Sequence, residues 1–204
     1  MHIAVTGNIG AGKTTLTTML SKHYGWDAQF EDVDHNPYLE DFYNDMNKWS
    51  FALQIYFLGS RFRQVKEIRE SGKNIIQDRT IYEDAYIFAE NLNDMNLLSK
   101  RDFDNYSSVF HLMKSFVSAP DLLIYLQSDV PNLVKKIYKR GRDYEASISI
   151  EYLSKLNEKY EKWIDNYSEG KLLIIDVNDL DFVDRPEDFG FILEKIEAEL
   201  HGLF

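Results

Sequence analysis

A glycine-rich segment with one lysine and one threonine lies near the start of the chain. It follows the apolar run 3–6, precedes a helix-like stretch from 15 to 23, and matches the pattern GxxxxGK[ST]. Glycines allow backbone N–H groups to surround a phosphate, and the following helix adds the positive end of its dipole. Lys13 then reaches the outer phosphates, and Thr14 offers its hydroxyl to Mg²⁺. The predicted nucleotide-binding residues are Gly7, Asn8, Ile9, Gly10, Ala11, Gly12, Lys13, Thr14 and Thr15.

Two further groups of charged residues follow predicted strands. The first is the acidic segment 30–34, where a carboxylate near the γ-phosphate can accept a proton from an attacking hydroxyl as a general base. The second is the run 78–80, in which Asp78 suits Mg²⁺ and Arg79 suits phosphate. A solvated acidic loop and an ordinary surface ion pair are the simpler alternatives.

Residues 135–145 form a dense basic stretch in an otherwise acidic chain. Arg140 and Arg142 flank Gly141, which offers a flexible point between two cations. This pattern predicts a basic lid, at about 139–149, that closes over ATP and excludes water. A solvated helix end with favourable C-terminal cations is the alternative.

The elements that must position these residues follow from short apolar runs separated by helix-like stretches. Strands are predicted at 3–6, 28–31, 74–78, 122–127 and 172–176, and helices at 49–70, 84–92, 100–117, 130–138, 150–166 and 185–200. This alternation predicts an α/β P-loop NTPase fold with a five-stranded parallel sheet covered by helices on both faces. Sites in such sheets open at the carboxyl ends of the strands. No repeat or linker divides the chain, so we expect one domain over 1–204.

Composition narrows the partners. The chain has 204 residues and a net charge of −11, which disfavours nonspecific binding to nucleic acid or to an anionic membrane. It contains no cysteine, which excludes disulfides and thiolate chemistry. We find neither a signal-peptide pattern nor an apolar run of membrane-spanning length, so we expect a cytoplasmic protein.

Other P-loop classes need motifs that this sequence lacks. A GTPase requires a DxxG switch element and an NKxD guanine reader, and neither occurs. The trio 188–190 reads Asp-Phe-Gly as in protein kinases, but no HRD loop precedes it. We interpret that trio as coincidence.

The remaining motifs, in this order, resemble the deoxynucleoside kinase family, which includes deoxycytidine, deoxyguanosine and deoxyadenosine kinases. The resemblance spans nearly the whole chain. Its most specific elements are the P-loop, the Glu31-Asp32-Val33 turn, residues 49–54 followed by Arg61, residues 78–80 followed by Asp84, residues 140–145, and the helix at 150–156. It implies transfer of the γ-phosphate of ATP to the 5′-hydroxyl of a deoxynucleoside in nucleotide salvage.

The resemblance also implies a role for each matching residue. Glu31 resembles the general base, and Arg79 resembles the arginine that steadies it. The implied catalytic residues are Glu31, Lys13, Arg79, Arg140 and Arg142, and the implied Mg²⁺ ligands are Thr14 and Asp78. Asp181 and Phe182 resemble the loop that packs on the adenine of ATP, although their spacing differs by one residue.

The implied nucleoside pocket reads both sugar and base. Tyr43 and Glu145 resemble the pair that binds the 3′-hydroxyl, and Phe88 resembles the ring that stacks on the base. Gln54, Arg61 and Asp84 resemble the base-edge readers. The full implied substrate set is Glu31, Tyr43, Gln54, Arg61, Arg79, Asp84, Phe88 and Glu145. A carboxylate accepts from an exocyclic amine that thymine lacks, so we expect thymidine to be a poor substrate. Among the amino-bearing bases the resemblance favours deoxyadenosine first, then deoxyguanosine, then deoxycytidine.

Two other functions stay open at this point. A nucleoside monophosphate or thymidylate kinase shares the architecture but needs an extra cationic site for its acceptor's phosphate. A non-catalytic P-loop subunit is the other alternative, which the intact Lys13, Glu31, Arg79 and Arg140 disfavour. The family resemblance further implies a homodimer, and we expect that a deoxynucleoside triphosphate inhibits by occupying both pockets.

Overall fold

The structure is a computed structural model that describes residues 1–31, 35–142, 145 and 148–202. A five-stranded parallel sheet forms its centre, with strand order β2-β3-β1-β4-β5. The strands are β1 His2–Thr6, β2 Asp27–Gln29, β3 Ile75–Asp78, β4 Leu122–Gln127 and β5 Lys171–Asp176. The predicted fold class is confirmed, and the strand bounds differ from prediction by at most two residues.

Helices connect the strands. They are α1 Lys13–Tyr24, α2 Leu39–Asn44, α3 Met46–Ser71, α4 Ile81–Glu83, α5 Glu90–Asp94, α6 Lys100–Lys114, α7 Val130–Arg140, α8 Ile150–Asp165 and α9 Pro186–His201, with a π-helical turn Asp84–Ala89 before α5. The prediction missed α2 and α4, which are too short to show helical periodicity. The helix predicted at 84–92 is split into this π-helical turn, which contains Asp84 and Phe88, and the α-helix α5.

Side chains of β1 alternate between two cores, which explains the cover of helices on both faces. Ile3 and Val5 pack on one face, in the core that contains Leu16 of α1 and Ile192 of α9. Ala4 points to the opposite core, which contains Leu53 of α3. Both faces of the central strand are thus buried, as expected for a parallel sheet.

Parallel pairing brings the functional strand ends together. Val5 pairs with Asp78, so β1 and β3 end side by side and the P-loop begins next to the run 78–80. Two predicted features fall partly outside the described residues: Asp32 and Val33 of the acidic turn, and residues 143, 144, 146 and 147 of the lid. Over the residues that are described, no helix is both long and apolar enough to cross a membrane.

Candidate active site

The P-loop leads into α1 through glycines in conformations that other residues rarely adopt. Gly12 has a φ of 102°, and a Cβ there would lie 3.0 Å from the ring of Phe182. A Cβ on Gly7, whose φ is 146°, would meet the carbonyl oxygen of Leu126 at 2.9 Å. Among the described residues no side chain caps α1, and no acidic residue occupies its first turn. The helix N-terminus is therefore suited to an anion.

Lys13 is buried within this loop. Its Nζ donates to the carbonyl oxygen of Asn8 at 3.0 Å. Burial, followed by the nearby charge of Arg79, lowers the pKa of Lys13 to about 8. A bound polyphosphate would reverse this shift, because an anion stabilises the ammonium.

Thr14 and Asp78 form the oxygen pair predicted to hold Mg²⁺. The Thr14 hydroxyl donates to Asp78 Oδ2 at 2.5 Å, and burial raises the pKa of Asp78. Asp78 Oδ1 is buried and has no hydrogen-bond partner among the described residues. The same residues hold no cluster of three or more His, Cys, Asp or Glu side chains at metal-binding spacing. The pair fits a magnesium ion that takes its other ligands from phosphate and water.

Two arginines converge on Glu31. Arg61 Nη2 donates to Glu31 Oε1 at 3.0 Å, and Arg79 Nε lies 3.3 Å from the same oxygen. Burial opposes ionisation of Glu31, but Arg79 and Arg61 outweigh it and lower the pKa of the carboxyl group. Glu31 is thus a carboxylate at neutral pH, which is the state a general base requires.

The residues predicted to read the base are buried, and several of their polar atoms lack hydrogen-bond partners among the described residues. Arg61 Nε lies 3.5 Å from Asp84 Oδ2, and burial raises the pKa of Asp84 to about 7. Gln54 Oε1, Arg61 Nε and Asp84 Oδ2 are buried without hydrogen-bond partners among the described residues. Unpaired buried polar atoms are costly, so this set is suited to the polar edge of a ligand.

A cavity of about 420 Å³ joins the P-loop to these residues. Of the predicted site, the cavity is lined by Ile9, Gly10, Lys13, Thr14, Glu31, Tyr43, Gln54, Asp78, Arg79, Asp84, Phe88, Arg140, Arg142 and Glu145. Phe88 also supports the Arg79 guanidinium, which lies 4.5 Å from the ring centroid. The apolar wall, including Leu53, Phe57 and Tyr152, was not predicted, because such residues are typical of any core.

Arg61 lies behind the cavity rather than in its lining. Its side chain is only 2% exposed, and Nη1 donates to the carbonyl oxygen of Asp78 at 3.0 Å. Burial disfavours its charge, but Asp84 and Glu31 raise its pKa. Arg61 therefore contacts both Asp84, predicted to read the base, and Glu31, the predicted general base, a connection that sequence spacing does not reveal.

The predicted lid arginines contact the residue predicted to bind the sugar. Arg140 Nε and Nη2 donate to the two oxygens of Glu145 at 3.0 and 2.5 Å, and Arg142 Nη1 lies 3.6 Å from Glu145 Oε1. Glu145 is almost fully buried, whereas the two arginines are about one-third exposed. Two predicted phosphate ligands and one predicted sugar ligand thus meet at a single carboxylate.

The two residues of the predicted adenine loop, Asp181 and Phe182, differ in solvent exposure. Phe182 is 5% exposed and packs against Gly12 in the hydrophobic core. Asp181 is exposed and accepts from the backbone N–H of Asp184 at 3.1 Å, which lowers its pKa. The ring of Phe182 thus packs against the P-loop, and the predicted contact of the 181–182 loop with adenine stays a prediction.

Sequence reasoning also missed a buried polar group behind Arg79. Glu83 accepts from Thr80 and from the hydroxyl of Tyr160, whose oxygen in turn accepts from Arg79. A Thr-x-x-Glu pattern at 80–83 is the signal of a helix capping box and would have pointed to Glu83. No local pattern points to Tyr160, which is 77 residues further along the chain.

The fold and this cavity define a P-loop phosphotransferase. The deoxynucleoside kinase family model matches residues 3–201, so the chain belongs to the deoxynucleoside kinase family. It is therefore an ATP-dependent phosphotransferase.

Curated relatives cover almost the whole chain. A deoxyadenosine/deoxycytidine kinase of Bacillus subtilis is 41% identical over 98% of this chain and 93% of its own length. A deoxyguanosine kinase of the same species is 36% identical over 98% of this chain and 96% of its own length. Among solved structures, a deoxyadenosine kinase from M. mycoides with bound dATP has a TM-score of 0.86 at 34% identity, covering 97% of this chain and 100% of that one.

Proposed function

We propose that this chain transfers the γ-phosphate of ATP to the 5′-hydroxyl of a deoxynucleoside, with deoxyadenosine preferred, in nucleotide salvage. The observation that carries this proposal is the position of Glu31. It is an ionised carboxylate that lines the same cavity as the P-loop lysine and the partly unsatisfied base-reading residues. An acceptor hydroxyl bound in this cavity would lie close to Glu31, the proposed general base, and would face the proposed triphosphate site at the P-loop.

The proposed reaction assigns each charged side chain a task. Glu31 accepts the proton of the 5′-hydroxyl while that oxygen bonds to the γ-phosphorus and the bond to the β-phosphate oxygen breaks. Lys13, Arg140 and Arg142 neutralise the phosphate charge, and Arg79 fixes the carboxylate and the acceptor oxygen. Positioning and charge stabilisation supply most of the rate in such transfers.

Magnesium fits the proposed site. Thr14 and Asp78 would hold it, and the free oxygen of Asp78 supports this assignment. Bound there, the ion neutralises charge on the phosphates of ATP.

The base preference rests on two buried acceptors. Gln54 Oε1 and Asp84 Oδ2 suit the exocyclic amine of adenine, guanine or cytosine, and thymine has none. Relatives named for deoxyadenosine, deoxycytidine and deoxyguanosine support an amino-bearing base. We propose the order deoxyadenosine, deoxyguanosine, deoxycytidine, with thymidine poor.

A nucleoside monophosphate or thymidylate kinase is disfavoured because the arginines near Glu31, which could bind the acceptor's phosphate, are already paired with carboxylates. Arg61 and Arg79 are held by carboxylates of Glu31, Asp84 and Glu83. A phosphorylated acceptor would have to compete with all three. A non-catalytic P-loop subunit is disfavoured because such a protein has no need of an ionised Glu31 beside an intact P-loop.

Three finer properties belong to the same proposal. We infer a homodimer and a cytoplasmic location from the family membership. We also infer feedback inhibition by a deoxynucleoside triphosphate that fills both pockets, supported by the M. mycoides kinases solved with dATP and with dCTP. Inhibition by dATP that competes with both substrates would support this inference, and absence of competition with either would reject it.

A substrate panel tests the main proposal. ATP-dependent phosphorylation is measured with the four deoxynucleosides and their 5′-monophosphates, using Lys13→Ala as the inactive variant and Lys66→Ala, at an exposed position of α3, as its control. Turnover of an amino-bearing deoxynucleoside, lost only in Lys13→Ala, supports the proposal. Turnover of monophosphates alone, or equal turnover in both variants, rejects it.

A further inference from the structure

Arg79 has a backbone conformation that L-residues avoid. Its φ is +69°, and Asn96 is the other non-glycine residue with positive φ among those described. Left-handed conformations at such residues are strained and persist only where surrounding contacts enforce them. Arg79 stands directly after β3 and before α4, so a sharp change of direction at this residue turns its side chain toward Glu31.

Part of the restraint comes from the turn that follows. Glu83 is fully buried, and its Oε2 accepts from both the backbone N–H and the hydroxyl of Thr80, at 2.7 and 3.1 Å. The reciprocal cap fixes the residue after Arg79. The Oε2 atom of Glu83 thus accepts from Thr80, and the Oε1 atom faces Arg79.

Tyr160 of α8 completes the restraint on the side chain. Its hydroxyl donates to Glu83 Oε1 at 2.9 Å and accepts from Arg79 Nη1 at 3.0 Å. The phenol has one proton, and burial raises its pKa well above the usual value, so the proton stays on the oxygen. The direction of both hydrogen bonds is therefore fixed: Arg79 donates to Tyr160, and Tyr160 donates to Glu83.

The opposite edge of the guanidinium is left available for chemistry. Arg79 Nε lies 3.3 Å from Glu31 Oε1, yet it has no well-formed hydrogen bond to any described residue. The ring of Phe88 limits movement of the guanidinium plane. With Nη1 tied to Tyr160, rotation that would carry Nε away from Glu31 is opposed.

We propose that Tyr160 and Glu83 are positioning residues for phosphoryl transfer, which hold the Arg79 guanidinium with its Nε edge toward Glu31 and the reacting hydroxyl. The inference rests on the proposed role of Arg79. It adds two residues, one on another helix, that touch neither substrate. Loss of the Tyr160 hydroxyl leaves Arg79 charged but poorly oriented, which slows the chemical step more than it weakens substrate binding.

The first test compares two buried tyrosines that stack on each other. Tyr125 and Tyr160 have ring centroids 5.9 Å apart, and the Tyr125 hydroxyl donates to Glu161 instead of the Arg79 group. We expect Tyr160→Phe to lower kcat by about 10- to 100-fold with less than about a threefold change in KM for deoxyadenosine. The acid limb of the kcat profile should move to higher pH, because a displaced Arg79 lowers the pKa of Glu31 less. Tyr125→Phe should change kcat by less than about twofold.

A double-mutant cycle separates positioning from general stability. In an Arg79→Lys background, Tyr160→Phe should cause no further loss of kcat, because its effect passes through the guanidinium. Equal losses in the parent and Arg79→Lys backgrounds, or equal effects of Tyr160→Phe and Tyr125→Phe, overturn the inference. Glu83→Gln enters the same cycle, so the test stands if Tyr160→Phe does not fold.

The outcome for Arg79 alone distinguishes the two levels of the proposal. If Arg79→Lys keeps parental kcat, the proposed role of Arg79 is wrong, and the positioning inference is overturned with it. If Arg79→Lys loses turnover while folded Tyr160→Phe and Glu83→Gln both keep it, the role of Arg79 stands and only the positioning inference is overturned.

Discussion

Arg140 and Glu145 form a two-hydrogen-bond ion pair that joins the predicted phosphate lid to the predicted sugar site. The same carboxylate lies 3.6 Å from Arg142. A ligand that hydrogen-bonds Glu145 must share it with these arginines. The proposed recognition of the 3′-hydroxyl is thereby linked to the placement of the cations proposed to bind phosphate.

This link predicts that discrimination against a missing 3′-hydroxyl depends on Glu145. The parent should phosphorylate 2′,3′-dideoxyadenosine with kcat/KM about 10- to 100-fold below that for deoxyadenosine. In Glu145→Gln the ratio should shrink to less than about fivefold, because the amide holds neither the hydroxyl nor Arg140 as a carboxylate does. Glu151→Gln, at an exposed position of α8, is the control. An unchanged ratio in Glu145→Gln would show that Glu145 does not read the sugar.

The lowered pKa of Lys13 predicts proton uptake on ATP binding. In the free protein Lys13 loses its proton as pH rises through about 8, whereas bound phosphate restores the charge. Calorimetric titration of ATP at pH 8, in two buffers of different ionisation enthalpy, should therefore show net proton uptake, and ATP affinity should fall above that pH. Lys13→Arg, which stays charged, should remove the uptake. Buffer-independent heats in the parent would contradict the prediction.

The buried Asp84 predicts a stability loss on the alkaline side. Its folded pKa of about 7 lies above the ordinary 3.8, so its contribution is fully present below about pH 4 and is lost as pH rises through about 7. Between pH 5 and pH 8 the parent should lose on the order of 2–4 kcal/mol of unfolding free energy relative to Asp84→Asn. Urea unfolding at pH 5 and pH 8 measures the difference. Parallel pH dependence of the two proteins would mean that Arg61 keeps Asp84 ionised throughout.

Two glycines, Gly12 before α1 and Gly59 within α3, should respond in opposite ways to replacement by alanine. Gly12→Ala places a Cβ at a φ of 102° and 3.0 Å from Phe182, so it should abolish ATP binding. Gly59→Ala, within α3 and without a neighbour in 4 Å among the described residues, should instead raise the free energy of unfolding by about 0.5–1 kcal/mol. Fluorescence titration with a nucleotide analogue and thermal unfolding measure the two effects. ATP binding by Gly12→Ala would refute the proposed loop function.

The sheet and the P-loop were predictable because each depends on local sequence. Five apolar runs and the GxxxxGK[ST] spacing are visible without any tertiary contact, and both are confirmed. The sites of Glu31 and Asp78 followed from the rule that parallel strands end at one edge of a sheet. Their roles and those of the other site residues were assigned through the family resemblance and stay predictions.

Long-range partners could not be predicted in this way. Tyr160 reaches Arg79 from a helix 81 residues away, and Arg61 lies behind the cavity instead of lining it. The π-helical turn and the short α4 arise from tertiary demands that override helical periodicity. The packing of Phe182 against the P-loop was not predicted either, because residue type alone does not separate a core ring from a stacking ring such as that proposed for Phe88.

The most direct test of the proposed mechanism is single-turnover phosphorylation of deoxyadenosine by Glu31→Gln. The amide preserves size and polarity but cannot accept the hydroxyl proton, so the rate of the chemical step should fall by about 10²- to 10⁴-fold. Binding of ATP, measured separately, should change by less than about threefold. Glu67→Gln, exposed on α3, should match the parent. A Glu31→Gln variant that binds both substrates and reacts at the parental rate would contradict the assignment of Glu31 as the general base.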